Sequence, residues 1–284
     1  MRRAVAVFAL AAMLVAGGVA IAAEHLLLPE PDGEVLGLLL LGSDGGPPRG
    51  DRMLTARADG VQLLFVSGDR RHATFVSIPR DSWIHLPGRG NNRVNACLNH
   101  GPESCVEAVE AEFGINLDGH LTTSMDGFKA AVSAFGGLVV DVPTPVFDGG
   151  MSIPEAGRQR LTGSQALTYG RDRKNRAGGD FGRSQAQAEM LALAHRHVAE
   201  GGDLDEVLEA ATILRRHTVT DLGGPNLLRL AYEALHLPPD NVERALAPGR
   251  HGWAGPAAVV YLEPAAYDLV TDAAEDGRLS APAG

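Results

Sequence analysis

Arginine residues are concentrated in one short segment of an acidic chain. Between Arg171 and Arg183 the sequence reads Arg-Asp-Arg-Lys-Asn-Arg-Ala-Gly-Gly-Asp-Phe-Gly-Arg, although the 284-residue chain has a formal net charge of -10 at pH 7. A local excess of cations on an acidic background indicates a bound anion, and the planar guanidinium group matches phosphate oxygens. The segment therefore predicts a phosphate-binding site.

Two aspartates far upstream have the chemistry of a divalent-cation site. Asp44 follows the continuous apolar run 35–41, and Asp51 lies later in the same Gly/Pro-rich loop. Ligands of open α/β sheets bind beyond the carboxyl ends of strands, and Mg²⁺ takes one or two carboxylates together with substrate phosphates. Alone, aspartates in such a loop are more often turn residues, so this interpretation depends on the arginines. Together the two groups predict a site for a metal-bound pyrophosphate.

A third group of charges follows another apolar run. Arg80 comes directly after Pro79 at the end of a predicted strand, and Asp81 is either a turn residue or the partner that orients this arginine. An isolated Arg-Asp pair is usually a solvated surface pair that contributes little. Its place at a strand end, like that of Asp44, makes Arg80 a candidate phosphate ligand.

The arginine-rich segment itself connects two predicted helices. Arg171 and Arg173 end the first helix, and Asp180 is expected to cap the second. Arg183 and Gln187 lie four residues apart on one face of that second helix, whose N-terminus favours anions. The alternative is a charged loop that is only solvated.

The elements that must position these residues alternate between strands and helices, which predicts an α/β protein with a mixed central sheet flanked by helices. Arg70 lies in the turn of a predicted hairpin, has no assigned role, and is expected to be replaceable by alanine. The C-terminal half is expected to be mostly helical. The predicted strands are 35–41, 61–67, 73–78, 117–122, 138–142 and 257–262, and the predicted helices are 102–113, 124–135, 162–169, 182–199, 204–216, 225–235 and 264–276.

The N-terminus predicts a membrane anchor. After Met1-Arg2-Arg3, residues 4–23 carry no charge, and about 20 apolar residues span a bilayer as a helix with basic residues kept on the cytoplasmic side. The rival interpretation is a cleaved secretory peptide, since Ala20-Ile21-Ala22 resembles a cleavage site. Both alternatives place the remaining chain outside the cell. We expect a single-pass cell-membrane protein with residues 1–23 as cytoplasmic end and anchor, 24–34 as a stalk, 35–278 as an extracytoplasmic catalytic domain and 279–284 as a tail.

The two cysteines, Cys97 and Cys105, show no zinc-site spacing, and in an oxidising compartment such a close pair is expected to form a disulfide. Nucleic-acid binding is disfavoured, because the chain is acidic and lacks basic runs interleaved with aromatic residues.

Several of these motifs, in this order, resemble the LytR-CpsA-Psr family over residues 35–199, with weaker similarity beyond. The resemblance implies a membrane-anchored extracytoplasmic phosphotransferase that moves a glycopolymer from a polyprenyl-pyrophosphate carrier to peptidoglycan and leaves polyprenyl phosphate. The motifs that carry it are Leu-Gly-Ser-Asp, Arg-Gly-Asp, Val-Ser-Ile-Pro-Arg-Asp-Ser-Trp, Arg-Val-Asn-Ala, Gln-Ala-Leu-Thr-Tyr-Gly-Arg-Asp-Arg and Gly-Gly-Asp-Phe-Gly-Arg.

The resemblance also implies roles for single residues. Asp44 and Asp51 are expected to hold Mg²⁺ on the pyrophosphate. The acceptor hydroxyl of such a reaction also needs a general base, for which Asp51 and Asp81 are both candidates. Arg93 stands where the family often has lysine, and Gly50 replaces a small hydroxyl residue. The pyrophosphate and polyprenyl-phosphate ligands implied by the family are Arg49, Arg80, Arg93, Arg171, Arg173, Arg183 and Gln187, and the catalytic residues are Asp51, Arg80 and Asp81.

Two other functions remain open at this point. A hydrolase that cleaves the pyrophosphate with water would use the same arginines and metal. A non-catalytic lipid-binding or regulatory module is the other, because Ala186 and Ala188 replace side chains of the family's usual Arg-Gln-Gln run.

Overall fold

The computed structural model describes residues 33–45, 51–148, 151–153, 155–173, 175, 178–200 and 204–280. Strands and helices alternate along this part of the chain. The strands are β1 (Leu36–Ser43), β2 (Ala58–Val66), β3 (Ala73–Ser77), β4 (Trp83–Leu86), β5 (Gly90–Arg93), β6 (Gly119–Ser124), β7 (Leu138–Val142), β8 (Val146–Asp148), β9 (Met151–Ile153), β10 (Gly157–Leu161), β11 (Thr218–Thr220), β12 (Val242–Leu246), β13 (Gly249–Ala254) and β14 (Ala257–Leu262). The helices are α1 (Asp51–Leu54), α2 (Pro102–Phe113), α3 (Met125–Ala134), α4 (Gly163–Arg171), α5 (Asp180–Ala199), α6 (Leu204–His217), α7 (Gly224–His236) and α8 (Pro264–Asp276), and 3₁₀ turns lie at Val94–His100 and Pro239–Asn241.

Six strands form the central sheet, in the order β11-β6-β1-β2-β3-β12. β1 pairs parallel with β6 and antiparallel with β2, while β3 pairs antiparallel with β2 and parallel with β12. The sheet is therefore mixed, as the sequence predicts. The carboxyl ends of β1, β3, β6 and β12 meet the start of β2 at one edge, where the candidate site residues of three segments converge.

The central strand β1 is apolar on both faces because both faces are covered. Leu39 and Leu41 belong to a buried cluster with α2 and α8, whereas Leu36 and Leu38 belong to another that includes Leu237, just after α7. Because successive side chains of a strand point to opposite faces of the sheet, one apolar run contributes to two separate cores. A third buried cluster joins helices α3 to α6 with the small sheet β7–β10.

The α/β class with a mixed sheet between helices is confirmed. Four predicted elements match the observed bounds, namely 102–113, 138–142, 257–262 and 264–276. The expectation of a mostly helical C-terminal half missed the strands β8 to β13, whereas β14 was predicted. Short strands of polar composition lack the alternation that would have revealed them.

The proposed anchor 1–23 lies outside the described residues, as do most of the stalk and the last four residues of the tail. Within the described ranges, no helix combines the length and the apolarity needed to cross a bilayer. The anchor, the stalk and the other proposed domain bounds stay predictions.

The two cysteines are buried and lie side by side. Cys97 belongs to the 3₁₀ turn and Cys105 to the first turns of α2, and their Cα atoms are 4.8 Å apart, as in a bonded pair. The arrangement would tie the 3₁₀ turn, which contains the last three residues of the Arg-Val-Asn-Ala motif, to the helix packed against the sheet.

Candidate functional site

Arg80 is surrounded by carboxylates at the sheet edge. Its Nη1 donates a hydrogen bond to Oδ1 of Asp59, a buried residue at the start of β2. Its Nε lies 3.8 Å from Asp180 Oδ1 and 3.9 Å from Asp81 Oδ2. Backbone contacts fix the loop, because the Asn95 N–H donates to the Arg80 carbonyl at 3.1 Å. The Nη1 and Nε atoms of Arg80 therefore face carboxylates of the protein.

The second arginine of this cluster is more deeply buried. Arg183 is 3% exposed and lies 2.5 Å from Asp180 in the first turn of α5. Burial raises the pKa of Asp180, and the charge of Arg183 opposes that rise. Burial likewise lowers the pKa of Arg183, while Asp180 opposes that shift. Each charge offsets the desolvation cost of the other.

One local expectation was wrong. Asp180 does not cap α5: the N-cap is Gly179, at φ 56°, with no side-chain cap hydrogen bond. The Asp180 carboxylate turns instead to Arg183 and Arg80, because an ion pair with two guanidinium groups is stronger than a cap to a neutral N–H.

Gln187 links the helix to two other elements. Its Nε2 lies 3.2 Å from the Asp59 carbonyl and 3.2 Å from the Gly170 carbonyl, so it connects β2 to the end of α4. Gly42 and Gly60 face each other across β1 and β2 beneath this side chain, and a Cβ on Gly60 would meet Gln187 Oε1 at 3.2 Å. The glycines leave the space in which the amide sits.

Arg171 and Arg173 are both exposed at the end of α4. Arg171 lines the large cavity described below, and Arg173 is close enough to act electrostatically on Asp180 and Arg183. The structure thus brings the predicted residues Arg80, Arg171, Arg173, Arg183 and Gln187 to one region. Their binding roles stay predictions.

Arg93 contacts a different partner. Its Nε and Nη2 lie 2.9 and 2.7 Å from the Ala258 carbonyl of β14, and its Nε is 3.6 Å from Asp81 Oδ1. The side chain joins β5 to the β13–β14 hairpin beside the cluster.

The predicted metal ligands are only partly described. Asp44 is exposed just beyond β1, and its Oδ1 accepts the Arg57 N–H at 2.9 Å. Asp51 begins α1, its side chain is not among the described ones, and Arg49 lies outside the described residues. An exposed aspartate at this edge fits Mg²⁺, which binds through few protein carboxylates and keeps its other positions for water or phosphate. In the described part of the chain, no three His, Cys, Asp or Glu residues are grouped to hold a metal.

A large apolar cavity opens beside the polar cluster. Its volume is about 520 Å³, and it lies between β1, β6 and β11 of the sheet and helices α3 to α7. Arg171 and Gln187 line it together with many aliphatic side chains. The residues of its apolar wall include Leu40, Leu121, Met125, Phe128, Leu167, Met190, Leu191, Leu214, Leu227 and Leu230.

The LytR-CpsA-Psr family model matches residues 24–274. The chain belongs to the LytR-CpsA-Psr family. The resemblance seen in the motifs is therefore confirmed, and it extends beyond residue 199 into α8.

Curated and solved relatives agree with this assignment. A polyisoprenyl-teichoic acid–peptidoglycan teichoic acid transferase, TagU of Oceanobacillus iheyensis, is 30% identical over 196 residues, which are 66% of this chain and 59% of the relative. The chain thus spans about three fifths of that relative's length. The crystal structure of Bacillus subtilis TagV has a TM-score of 0.70 at 24% identity, covering 85% of this chain and 96% of the other. A LytR-Csp2A-Psr enzyme from Actinomyces oris has a TM-score of 0.69 at 24% identity, covering 88% and 93%. These two likenesses establish the fold.

Sequence reasoning missed Asp59. It reads as part of an Ala-Asp-Gly turn, yet it is the buried counter-ion of Arg80, 21 residues away. The available signal was a single carboxylate at the start of an otherwise apolar strand, opposite the end of β1. Such a residue is costly to bury without a cation.

Proposed function

We propose that this protein transfers a glycopolymer from a polyprenyl-pyrophosphate carrier to peptidoglycan, leaving polyprenyl phosphate. The observation that carries the proposal is that Gln187 and Arg171 join a guanidinium cluster to a large apolar cavity. A ligand with a polyanionic head and a hydrocarbon tail has both halves of this chemistry. The name of the Oceanobacillus relative supports a wall glycopolymer as the group that is moved.

The prenyl chain of the donor would occupy the apolar cavity. Its walls are aliphatic side chains from both the sheet and the helices, and burial of prenyl methylenes contributes about 0.8 kcal/mol each. The pyrophosphate would then lie at the Gln187 end, within reach of Arg171 and the Arg80–Arg183 pair. The planar fork of each guanidinium suits two phosphate oxygens at once.

The reaction is a displacement at phosphorus. A hydroxyl of the acceptor forms a new O–P bond to the phosphate that bears the glycopolymer, and the bridging P–O bond breaks. Polyprenyl phosphate leaves with the electron pair of that bond, and the hydroxyl proton passes to a carboxylate, Asp51 or Asp81. Arg80 and Arg183 are preorganised by Asp59 and Asp180, so they neutralise the growing charge without reorganising.

Asp44 and Asp51 would hold Mg²⁺, which when bound neutralises pyrophosphate charge. Asp44 supports this assignment because it lies exposed at the edge that carries Arg80. The uncharged residues 4–23 support a membrane anchor that would keep the domain at the surface where a prenyl carrier resides.

The test is product analysis with a polyprenyl-pyrophosphate-linked glycopolymer, with and without peptidoglycan and with and without chelator. We expect polymer on peptidoglycan together with free polyprenyl phosphate, and loss of both products in excess chelator. Release of polymer into water at the same rate whether or not peptidoglycan is present would establish a hydrolase instead. Donor binding without any turnover would establish a lipid-binding module.

A further inference from the structure

A second cavity lies beside the arginine cluster and shares no lining residue with the apolar one. Its volume is about 220 Å³, and it is lined by Asp81, Asp180 and the β13–β14 hairpin. The two cavities are linked by α5, because Asp180 lines the small one and Gln187 the large one. Seven residues of helix separate these ends by about 10 Å. Arg183 lies between Asp180 and Gln187 along α5, so a group bound in the small cavity and a prenyl tail in the large one would both lie next to it.

The hairpin is fixed to the site by its own backbone. The Val260 N–H donates to the Asp81 carbonyl at 2.9 Å, and Arg93 donates twice to the Ala258 carbonyl. From the other side, the ring of Phe181 packs edge-on against His251 at 5.0 Å between centroids. The hairpin therefore forms a wall of the site whose position follows Asp81 and the start of α5.

The wall carries an exposed aromatic side chain. Trp253 lines the small cavity and is 71% exposed, the largest exposed fraction among the bulky hydrophobic residues in the described part of the chain. Its backbone is held, because the Tyr261 hydroxyl donates to the Trp253 carbonyl at 3.0 Å. An indole ring on a fixed backbone offers a flat apolar face, and little conformational entropy is lost when a ligand orders it. Tryptophan is also enriched where ligands and partners bind.

The charge of the cavity selects against an anion. Asp81 and Asp180 supply the carboxylates of its lining, while the guanidinium groups of Arg80 and Arg183 stand behind them. A second phosphate in this cavity would be repelled by the carboxylates of Asp81 and Asp180 before it reached the arginines. A neutral ligand with several hydroxyl groups can instead donate hydrogen bonds to them and lay an apolar ring face on Trp253.

We propose that the cleft between Asp81, Asp180 and Trp253 binds one sugar ring of the acceptor glycan and presents its hydroxyl to the phosphorus. This assignment rests on the proposed transferase function, and it adds where the acceptor binds and which residue recognises it. The volume fits a single ring, being smaller than the ~300 Å³ of a typical small-molecule site. The Asp81 carboxylate then stands on the acceptor side of the arginine cluster.

The test uses chitotetraose, a neutral β-linked oligomer of N-acetylglucosamine, as the probe. The chain has two tryptophans, Trp83 and Trp253, so emission that changes in the wild type and not in Trp253→Phe reports the hairpin. We expect saturable quenching from Trp253, and a calorimetric Kd raised about tenfold or more in Trp253→Ala. The matched control is Phe147→Ala, which removes another exposed aromatic (60% exposed) from a different hairpin and should bind chitotetraose like the wild type.

The outcomes separate this proposal from the transferase itself. Equal affinity of Trp253→Ala and wild type for chitotetraose, or an unchanged acceptor KM during transfer, would overturn the cleft assignment while leaving the transferase intact. Saturable chitotetraose binding at Trp253 in a protein that transfers no polymer would overturn the transferase and leave a glycan-binding cleft. Binding of the polyprenyl-pyrophosphate donor by Trp253→Ala, measured separately, shows that the variant is folded.

Discussion

Arg80 and Arg183 lie among the carboxylates of Asp59, Asp81 and Asp180, which come from three segments of the chain. Replacement of either by alanine should lower turnover on the order of a hundredfold or more, because a preorganised donor to a charged transition state is lost. Lysine should restore only part of the rate, since an ammonium group lacks the planar fork. The rate is measured as polymer transfer at saturating donor.

The matched control is Arg158→Ala, which removes an exposed arginine of β10. It should retain the wild-type rate. Rates are compared per folded protein, because Arg183→Ala leaves the buried carboxylate of Asp180 without its nearest cation and should lower the melting temperature. Full activity of Arg80→Ala would remove the basis for the proposed anion site.

Asp59 acts through Arg80, so its replacement should show a dependence that a purely structural residue lacks. Asp59→Asn should reduce turnover about tenfold, because Arg80 loses the counter-ion that orients it. In a protein that already carries Arg80→Ala, the same change should have almost no further effect on turnover. Equal losses in both backgrounds, in a double-mutant cycle, would show that Asp59 acts elsewhere.

The sequence predicted that Arg80, Arg171, Arg173 and Arg183 lie close together, but not how their side chains are oriented. Arg80 could be chosen because it follows a strand end and its type matches phosphate chemistry. Arg183 and Gln187 could be chosen because they share one face of a helix near its N-terminus and match the motif of the family. Asp59 and the true partners of Asp180 could not, since both depend on contacts between segments far apart in the chain. The backbone carbonyl bound by Arg93 lies 165 residues away, and no local pattern specifies it.

Among the elements, long apolar segments were predicted well and short polar ones were missed. α2 could be placed because Pro102 begins it and Gly114, in the left-handed region at φ 67°, ends it. β13 reads Gly-Arg-His-Gly-Trp-Ala and has no alternation of apolar and polar residues. It is a strand because β14 pairs with it, and such pairing is absent from any short window of sequence.

The turn between β2 and β3 holds an arginine that the sequence marked as replaceable. Arg70 is buried, has a φ of 56°, and lies 3.3 Å from the buried Glu233 of α7. Arg70→Ala should lower the free energy of unfolding by about 3 kcal/mol, because it leaves the buried carboxylate of Glu233 without this cation. Turnover of the folded fraction should be unchanged.

The neighbouring Arg71 provides the control in urea denaturation. Its side chain is exposed, so Arg71→Ala should change the unfolding free energy by no more than about 0.5 kcal/mol. Similar values for the two variants would contradict a structural role for the Arg70–Glu233 pair.

The junction of the 3₁₀ turn with α2 is the element expected to depend on oxidation. A bond between Cys97 and Cys105 closes a short loop and should contribute about 2 to 3 kcal/mol. After non-reducing digestion with a protease that cleaves after Glu103, mass spectrometry should show one cross-linked peptide pair, and reduction should lower the melting temperature. Two alkylated thiols in the native protein would contradict this prediction.

In the whole protein, the proposed anchor would hold the domain at the membrane that contains the donor, and the apolar cavity would bind the prenyl tail of that donor. Residues 4–23 should keep the full-length protein in the membrane fraction after a high-salt wash, with the domain accessible to protease from outside. A protein that begins at residue 24 should be released. A freely soluble mature protein with Ala23 or Glu24 as its N-terminus would show that the segment is a cleaved leader.

The way the β13–β14 hairpin is fastened also makes it a practical handle for protein engineering. Its contacts with Asp81, Arg93 and Phe181 involve Ala258, Val260 and His251, whereas the tip around Gly255 is exposed and takes no part in them. Exposed tips accept inserted residues readily. A fluorophore or a short affinity sequence placed at Gly255 would thus stay beside the cleft without loosening the strands that shape it. The fluorophore would report binding of the proposed acceptor glycan in real time.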